Sequence, residues 1–165
     1  MSNKNHIAYG VAAALIQFVL SLGFYFAKLN QEKWTGYVSL AVLVVAVILS
    51  CQDYGKKNPG QTFGSIFANG FKTTAVITVI GILLSIVFLA IFPDVKEQAM
   101  EAARKQMEAD HRLTEDQIDT ALELTKKMFY PLVIGVALFG NLIAGLIASL
   151  IGAGIAPKAQ QGRPQ

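Results

Sequence analysis

Long uncharged apolar runs alternate along this chain with short polar breaks, and their length is the first clue to its solvent. A hydrocarbon core about 30 Å thick is crossed by roughly 20 apolar residues in a helix. Ala8 to Ala27 carries no charge over 20 residues, has Gln17 near its middle and is stopped by Lys28. Gly36 to Cys51 is shorter, but Trp34 and Tyr37 at its start and Tyr54 past its end stand where interfacial anchors belong. Thr73 to Phe92 is uncharged and ends at Pro93 and Asp94. A fourth run opens at Pro131, a residue suited to the first turn of a helix, and continues to Ala156 before Pro157 and Lys158. At the helical rise its 26 residues reach about 39 Å, so tilt or overhang must absorb the excess.

Each run has a competing reading. Lys4 followed by the first run has the order of a secretory signal, but the run outlasts a signal's apolar region and has no small-residue exit, which predicts a span. The second run would suit the buried helix of a soluble protein only if protein surrounded it, since Val38 to Leu49 shows no polar face at helical spacing.

The breaks carry their own patterns. Asp53 to Gly60, with Lys56, Lys57, Asn58 and Pro59, predicts a turn. After it, Phe63, Ile66, Phe67, Gly70 and Phe71 share one helical face, and Gln61, Ser65, Asn69 and Lys72 the other. This is the pattern of a helix lying at the headgroups, or of an N-terminal extension of the third span. Asp94 to Tyr130 is the one water-soluble stretch. Val95, Ala99, Ala103 and Met107 stripe its first half, Asp110, His111 and Arg112 break it, and Thr114 with Gln117 forms a capping box that starts a second helix. Ile118, Ala121, Leu122, Thr125 and Phe129 stripe that helix, so the two halves are expected to fold as a hairpin.

The fold predicted is therefore all-α: a polytopic membrane protein with four transmembrane helices, over about 8–27, 36–51, 73–92 and 131–156. An extramembrane helical hairpin, 94–130, separates the third from the fourth. One domain covers 1–158, and 159–165, polar with Gly162 and Pro164, is expected to be disordered.

Composition agrees: 53% of the 165 residues are hydrophobic and 15% charged, against roughly 25% charged in soluble domains. Nine of the eleven acidic residues fall between Asp94 and Glu123. The net charge of +3 is not gathered on any basic helix face, which argues against nucleic acid as a partner. Cys51 is the single cysteine, so no internal disulfide and no cysteine-rich metal site can form. His6 and His111 stand apart, and no nucleophile elbow, zinc-helix or phosphate-loop motif occurs. No catalytic, metal or cofactor residue is predicted, and the chain is not expected to be an enzyme. None of the four predicted spans contains Asp, Glu, Lys, Arg or His, the residues that usually mark ion paths and proton relays.

With four spans the termini share a side. That side holds Lys4, Lys56, Lys57, Lys72, Lys158 and Arg163, and the other holds Lys28, Lys33 and six hairpin cations. The totals nearly balance. The hairpin's cations are interleaved with acids, whereas the 52–72 loop has three lysines against Asp53 alone, which predicts cytoplasmic termini. Asp53 and Lys72 flank that loop as a possible exposed pair of little energetic weight.

The fourth span places Ala137, Asn141, Gly145, Ser149 and Ala153 at i+4 spacing, with Gly140, Ala144, Ala148, Gly152 and Ala156 one step behind. Small side chains let helices approach closely in lipid, where no water drives them together, so this is a packing face. Its partner is either the chain's own bundle or a second protein, a homo-oligomer included. Gln17 and Asn141 fall near the middle of their runs, which predicts that the first and fourth spans are neighbours joined by this pair of amides. A polar path is the functional alternative.

Four segments in this order carry a resemblance: Gln61-Thr62-Phe63-Gly64 through Gly70-Phe71-Lys72, Phe92-Pro93-Asp94, Leu113-Thr114-Glu115-Asp116-Gln117-Ile118, and Leu146 to Ile155. From about Ile7 to Lys158 the chain resembles the bacterial membrane family catalogued as domain of unknown function 4199, common in the Bacteroidetes. The resemblance implies an inner-membrane location and a four-helix body, and supplies no catalytic residue, ligand or partner. The role expected is that of a non-enzymatic membrane scaffold or accessory subunit; the alternative is a small-solute transporter or channel subunit that works as an oligomer.

Overall fold

The computed structural model describes residues 4–30, 32–109 and 113–157. The expected hairpin break at Asp110, His111 and Arg112 and the expected tail at 159–165 lie outside the described residues. Among those described there are six helices and no strands: α1 Asn5–Phe26, α2 Lys33–Lys57, α3 Phe63–Ile91, α4 Asp94–Ala109, α5 Glu115–Lys127 and α6 Phe129–Ile155. Four of these, α1, α2, α3 and α6, are long and apolar enough to cross a membrane. The chain is thus a polytopic helical membrane protein with a two-helix hairpin between its third and fourth spans.

The helices outrun the uncharged segments. α2 does not turn at Asp53 as the sequence predicts but continues to Lys57, where an Asp53–Lys57 bridge of 2.9 Å one turn apart supports its end. Tyr54 packs on the core, and the break falls instead at Asn58, whose amide caps the Tyr54 carbonyl, and at Gly60 with φ +89°. The expected Asp53–Lys72 pair is displaced by this bridge. α3 is one unbroken helix of 29 residues, about 43 Å long at the helical rise, so 63–71 is the extension of the third span and not a separate interfacial helix. Thr62 caps it by accepting from the Ser65 amide.

In the bundle α2 and α3 touch each other and both flanking helices, while α1 and α6 occupy opposite corners. Leu43, Val47, Cys51, Ile66, Ile77, Ala148 and Ala153 form the core. Glycine sets how closely these helices approach. A Cβ on Gly145 would fall on the Thr74 side chain, and one on Gly152 would lie 2.9 Å from the Cys51 Cβ and 3.2 Å from the Ile48 Cα. Gly10 of α1 is closed in the same way by Val76 of α3. Backbone-level contact of this kind replaces the hydrophobic drive that lipid does not supply.

The hairpin forms where its stripes require. Ile118 is buried between α4 and α5, Arg104 reaches Asp119 across the pair at 3.5 Å, and the Thr114–Gln117 capping box is complete in both directions. One residue, Met128, separates α5 from α6. Pro131 explains the interruption: it has no N–H to offer the Lys127 carbonyl, so the helix ends and restarts.

Candidate functional site

At the end of the bundle that holds the termini, where the uncharged runs stop, a buried polar node joins three helices. Asn5 donates from Nδ2 to the Ser50 carbonyl at 3.0 Å and to Asp53 at 3.5 Å. Asn69 donates to the Ser50 Oγ at 3.0 Å, and the Ser50 and Thr73 hydroxyls share a hydrogen bond of 2.7 Å. Sequence periodicity puts Asn69 on a solvent-facing stripe. It is instead buried, because α3 turns its Asn69–Thr73 edge toward α2 and the amide is satisfied there. The i+4 pairing of Asn69 with Thr73 was the available signal. Asn5 Oδ1 is buried without a partner. This node fastens α1, α2 and α3, and its groups are uncharged but for the part-exposed Asp53.

Toward the hairpin the four spans separate and line an open-sided cavity of about 720 Å³. Every span contributes: Gln17, Phe18 and Ser21 from α1, Gly36, Ser39 and Leu40 from α2, Gly81, Ile82 and Ser85 from α3, and Gly140, Asn141 and Ala144 from α6. The wall is mainly apolar with a few amides and hydroxyls and no ionisable group other than the Tyr37 phenol near the rim. Its volume lies within the range of small-molecule pockets, about 300–1,000 Å³.

The residues singled out in the sequence divide between these two regions. Gly145, Ala148, Ser149 and Gly152 are buried in the tightly packed half, Ser149 beside Gly70 of α3 and Gly152 against Cys51 of α2. Ala144 packs on the edge of the core, and Ala144, Gly140 and Asn141 all line the cavity. The expected Gln17–Asn141 bond does not form. Gln17 donates from Nε2 to the Ser39 carbonyl at 2.8 Å, and α1 and α6 stand at opposite corners, so the two amides contribute to one cavity from different sides. Similar depth in the membrane fixed their height but not their direction around each helix.

At the hairpin edge an aromatic cluster closes the bundle. Tyr25 lies 4.4 Å from Phe92 between ring centroids and donates its hydroxyl to both carboxylate oxygens of Asp94, at 3.0 and 2.9 Å. Asn30 donates to Gln98 at 2.9 Å, and the Lys96 ammonium stands 5.3 Å from the Phe129 ring centre. The first turns of α4 are thereby held to the membrane body. No group of three or more His, Cys, Asp or Glu residues that could hold a metal exists among the described residues.

Against known families, the model described as protein of unknown function (DUF4199) matches residues 8–158. This chain belongs to that family. The match takes in all four spans and the hairpin of the DUF4199 chain, so the helical body described above is what the family model covers. No curated protein and no solved structure matches it significantly. The family description carries no activity, substrate or partner for a DUF4199 protein.

Proposed function

We propose that this chain is a non-enzymatic, multi-pass protein of the bacterial inner membrane, with cytoplasmic termini, that acts as a scaffold or accessory subunit through its extramembrane hairpin. The observation that carries this reading is the division of charge. Nine of eleven acidic residues and six of fourteen basic ones belong to the segment from Asp94 to Lys127, while the four uncharged runs contain no Asp, Glu, Lys, Arg or His. A charged, amphipathic pair of helices fastened to the bundle at both ends presents a surface of mixed charge that can steer and orient a protein partner of complementary charge.

The test compares the intact chain with one in which residues 99–125 are replaced by a short Gly/Ser loop, both in native membranes. The intact chain is expected to migrate on native gels as a complex larger than itself, and the loop variant to insert equally well but lose that complex. Equal migration would remove the scaffold reading. A reporter that is active only in the cytoplasm, fused after Pro157, is expected to be active; silence there with activity in the hairpin would reverse the orientation.

A second reading, a small-solute transporter or channel subunit working as an oligomer, is supported by the cavity that all four spans line. Solute flux in vesicles carrying the purified protein separates it from the first.

A further inference from the structure

The glycines of the spans fall into two groups, and the second has no explanation inside the protein. Gly10, Gly55, Gly70, Gly145 and Gly152 are each closed by a neighbouring helix or chain end, so only glycine fits. Gly36, Gly81 and Gly140 face empty space, with no atom within 4 Å of where a Cβ would lie. All three are on the wall of the same cavity, one each on α2, α3 and α6. Gly23, Gly135 and Gly154 are equally unhindered, so an open glycine by itself marks nothing; convergence on one cavity does. Glycine in a helix interior is unfavourable relative to alanine; at Gly81 and Gly140, inside α3 and α6, that cost widens a void that the bundle does not fill, and Gly36 in the first turn of α2 widens it further.

The polar groups on the wall point the same way. Asn141 lies at the centre of α6, and its amide makes no hydrogen bond among the described residues; nor do the side-chain hydroxyls of Ser39 and Ser85. Gln17 spends its Nε2 on Ser39 and keeps Oε1 unused. Asn141, Ser39 and Gln17 are half-buried and Ser85 is exposed, on a surface where hydrocarbon supplies no partner, so each keeps hydrogen-bonding capacity for the polar head of a ligand. The cavity's exposed lining residues lie on three helices: Gly36, Tyr37 and Leu40 on α2, Ser85 on α3, and Gly140, Ile143 and Ile147 on α6. The cavity therefore opens on the side of the bundle, in the leaflet on the hairpin side.

The geometry points to a binding site, inside the hairpin-side leaflet, for a small uncharged amphiphile: an apolar body against Phe18, Leu40 and Ile82, and a hydroxyl- or carbonyl-bearing head on Asn141, Ser39 and Ser85. An ionised head is disfavoured because the wall offers no counter-charge, and an unpaired charge in this setting is costly. The inference does not depend on the hairpin's role as a docking surface.

The probe is a monoacylglycerol bearing a photoreactive diazirine in its chain, irradiated with the full-length protein in phosphatidylcholine vesicles. Adducts are expected on cavity residues, saturable, and reduced about tenfold by excess unmodified monoacylglycerol. The matching fatty acid, ionised at alkaline pH, is expected to give only unsaturable labelling. Gly81→Leu, which fills the void from a position with no clash, is expected to abolish the saturable labelling while leaving the detergent melting temperature unchanged or higher; Gly36→Leu is the second filling variant should the first not fold. Asn141→Leu is expected to weaken labelling without shifting its position. Adducts spread evenly over the lipid-facing surfaces, saturable labelling that survives both filling variants, or equal capture of the ionised probe would each overturn the assignment.

Discussion

Gln17 of α1 donates to the Ser39 carbonyl of α2 at 2.8 Å, and this bond ties adjacent helices where depth in the membrane alone pairs Gln17 with Asn141. The distinction has an energetic signature. Gln17→Leu removes an interhelical hydrogen bond, for which about 0.6 kcal/mol is typical and about 1.7 kcal/mol the upper end in membrane bundles. Asn141→Leu removes an amide that has no partner and is expected to leave stability unchanged or raise it. Because the two amides share no bond, the double variant should equal the sum of the single ones within about 0.5 kcal/mol. Reversible unfolding in mixed detergent measures all three.

Two glycines five residues apart on α6 should respond oppositely to the same methyl group. Gly145→Ala drives a Cβ into Thr74 and is expected to cost about 1–3 kcal/mol, the range for overpacked interiors. Gly140→Ala meets nothing and gains helix propensity, so it should be neutral or stabilising by up to about 1 kcal/mol. Thermal unfolding of the two variants side by side checks the contrast, and a loss at Gly140 equal to that at Gly145 would contradict it.

Lys28 is the one non-glycine residue at positive φ among those described, at 58°. It follows the last turn of α1, where the Leu29 amide donates back to the Phe24 carbonyl at 2.8 Å in the manner of a Schellman cap. A side chain in this backbone region costs about 1–2 kcal/mol that glycine does not incur. Lys28→Gly should therefore stabilise the protein, by about 1 kcal/mol once glycine's greater unfolded freedom is subtracted. A lower melting temperature would show that the lysine side chain contributes more than its backbone strain removes.

The hairpin should loosen in acid before the bundle does. A hydrogen bond from Lys105, reinforced by that ammonium's charge, holds the Glu101 carboxyl below the ordinary glutamate range. A carboxyl depressed in the folded state stabilises fully above its unfolded value, about pH 4.3, and that contribution disappears as pH falls through the lower folded value. The protection of α4 amides, taken against the intrinsic exchange rate at each pH, is expected to fall slightly below about pH 4, as an exposed pair allows, while that of α2 and α3 is kept. Glu101→Gln should flatten the α4 response; an unchanged profile would place the acid sensitivity elsewhere.

The spans were legible because the membrane test is a count: an uncharged run of Ala8 to Ala27 or Thr73 to Phe92 has few alternatives in water. The capping box was legible because Thr114 and Gln117 are local partners. The count, however, measures hydrocarbon and not helix, which is why α2 and α3 extend past it at Asp53–Lys57 and Phe63–Lys72. Asn69 was misplaced for a related reason, since a polar residue beyond the hydrocarbon reads as wet even when a neighbouring helix covers it. The rhombic arrangement of the spans and the cavity at its wider end depend on rotations about four helix axes. No single helix encodes these: the small residues of α6 read as one packing face from Ala137 to Ala156, and nothing in their spacing separates Gly145 and Gly152, which are tightly packed, from Gly140, which lines the cavity.

Phe92 and Pro93 alone connect α3 to α4, and Met128 alone connects α5 to α6. A Gly/Ser tether would let an appended module drift; these junctions leave no slack. The hairpin takes its bearing from two membrane-embedded helices, and one of its anchors, α6, carries Gly140 and Asn141. A load applied to the hairpin is therefore borne by the same helix that frames the void beneath it.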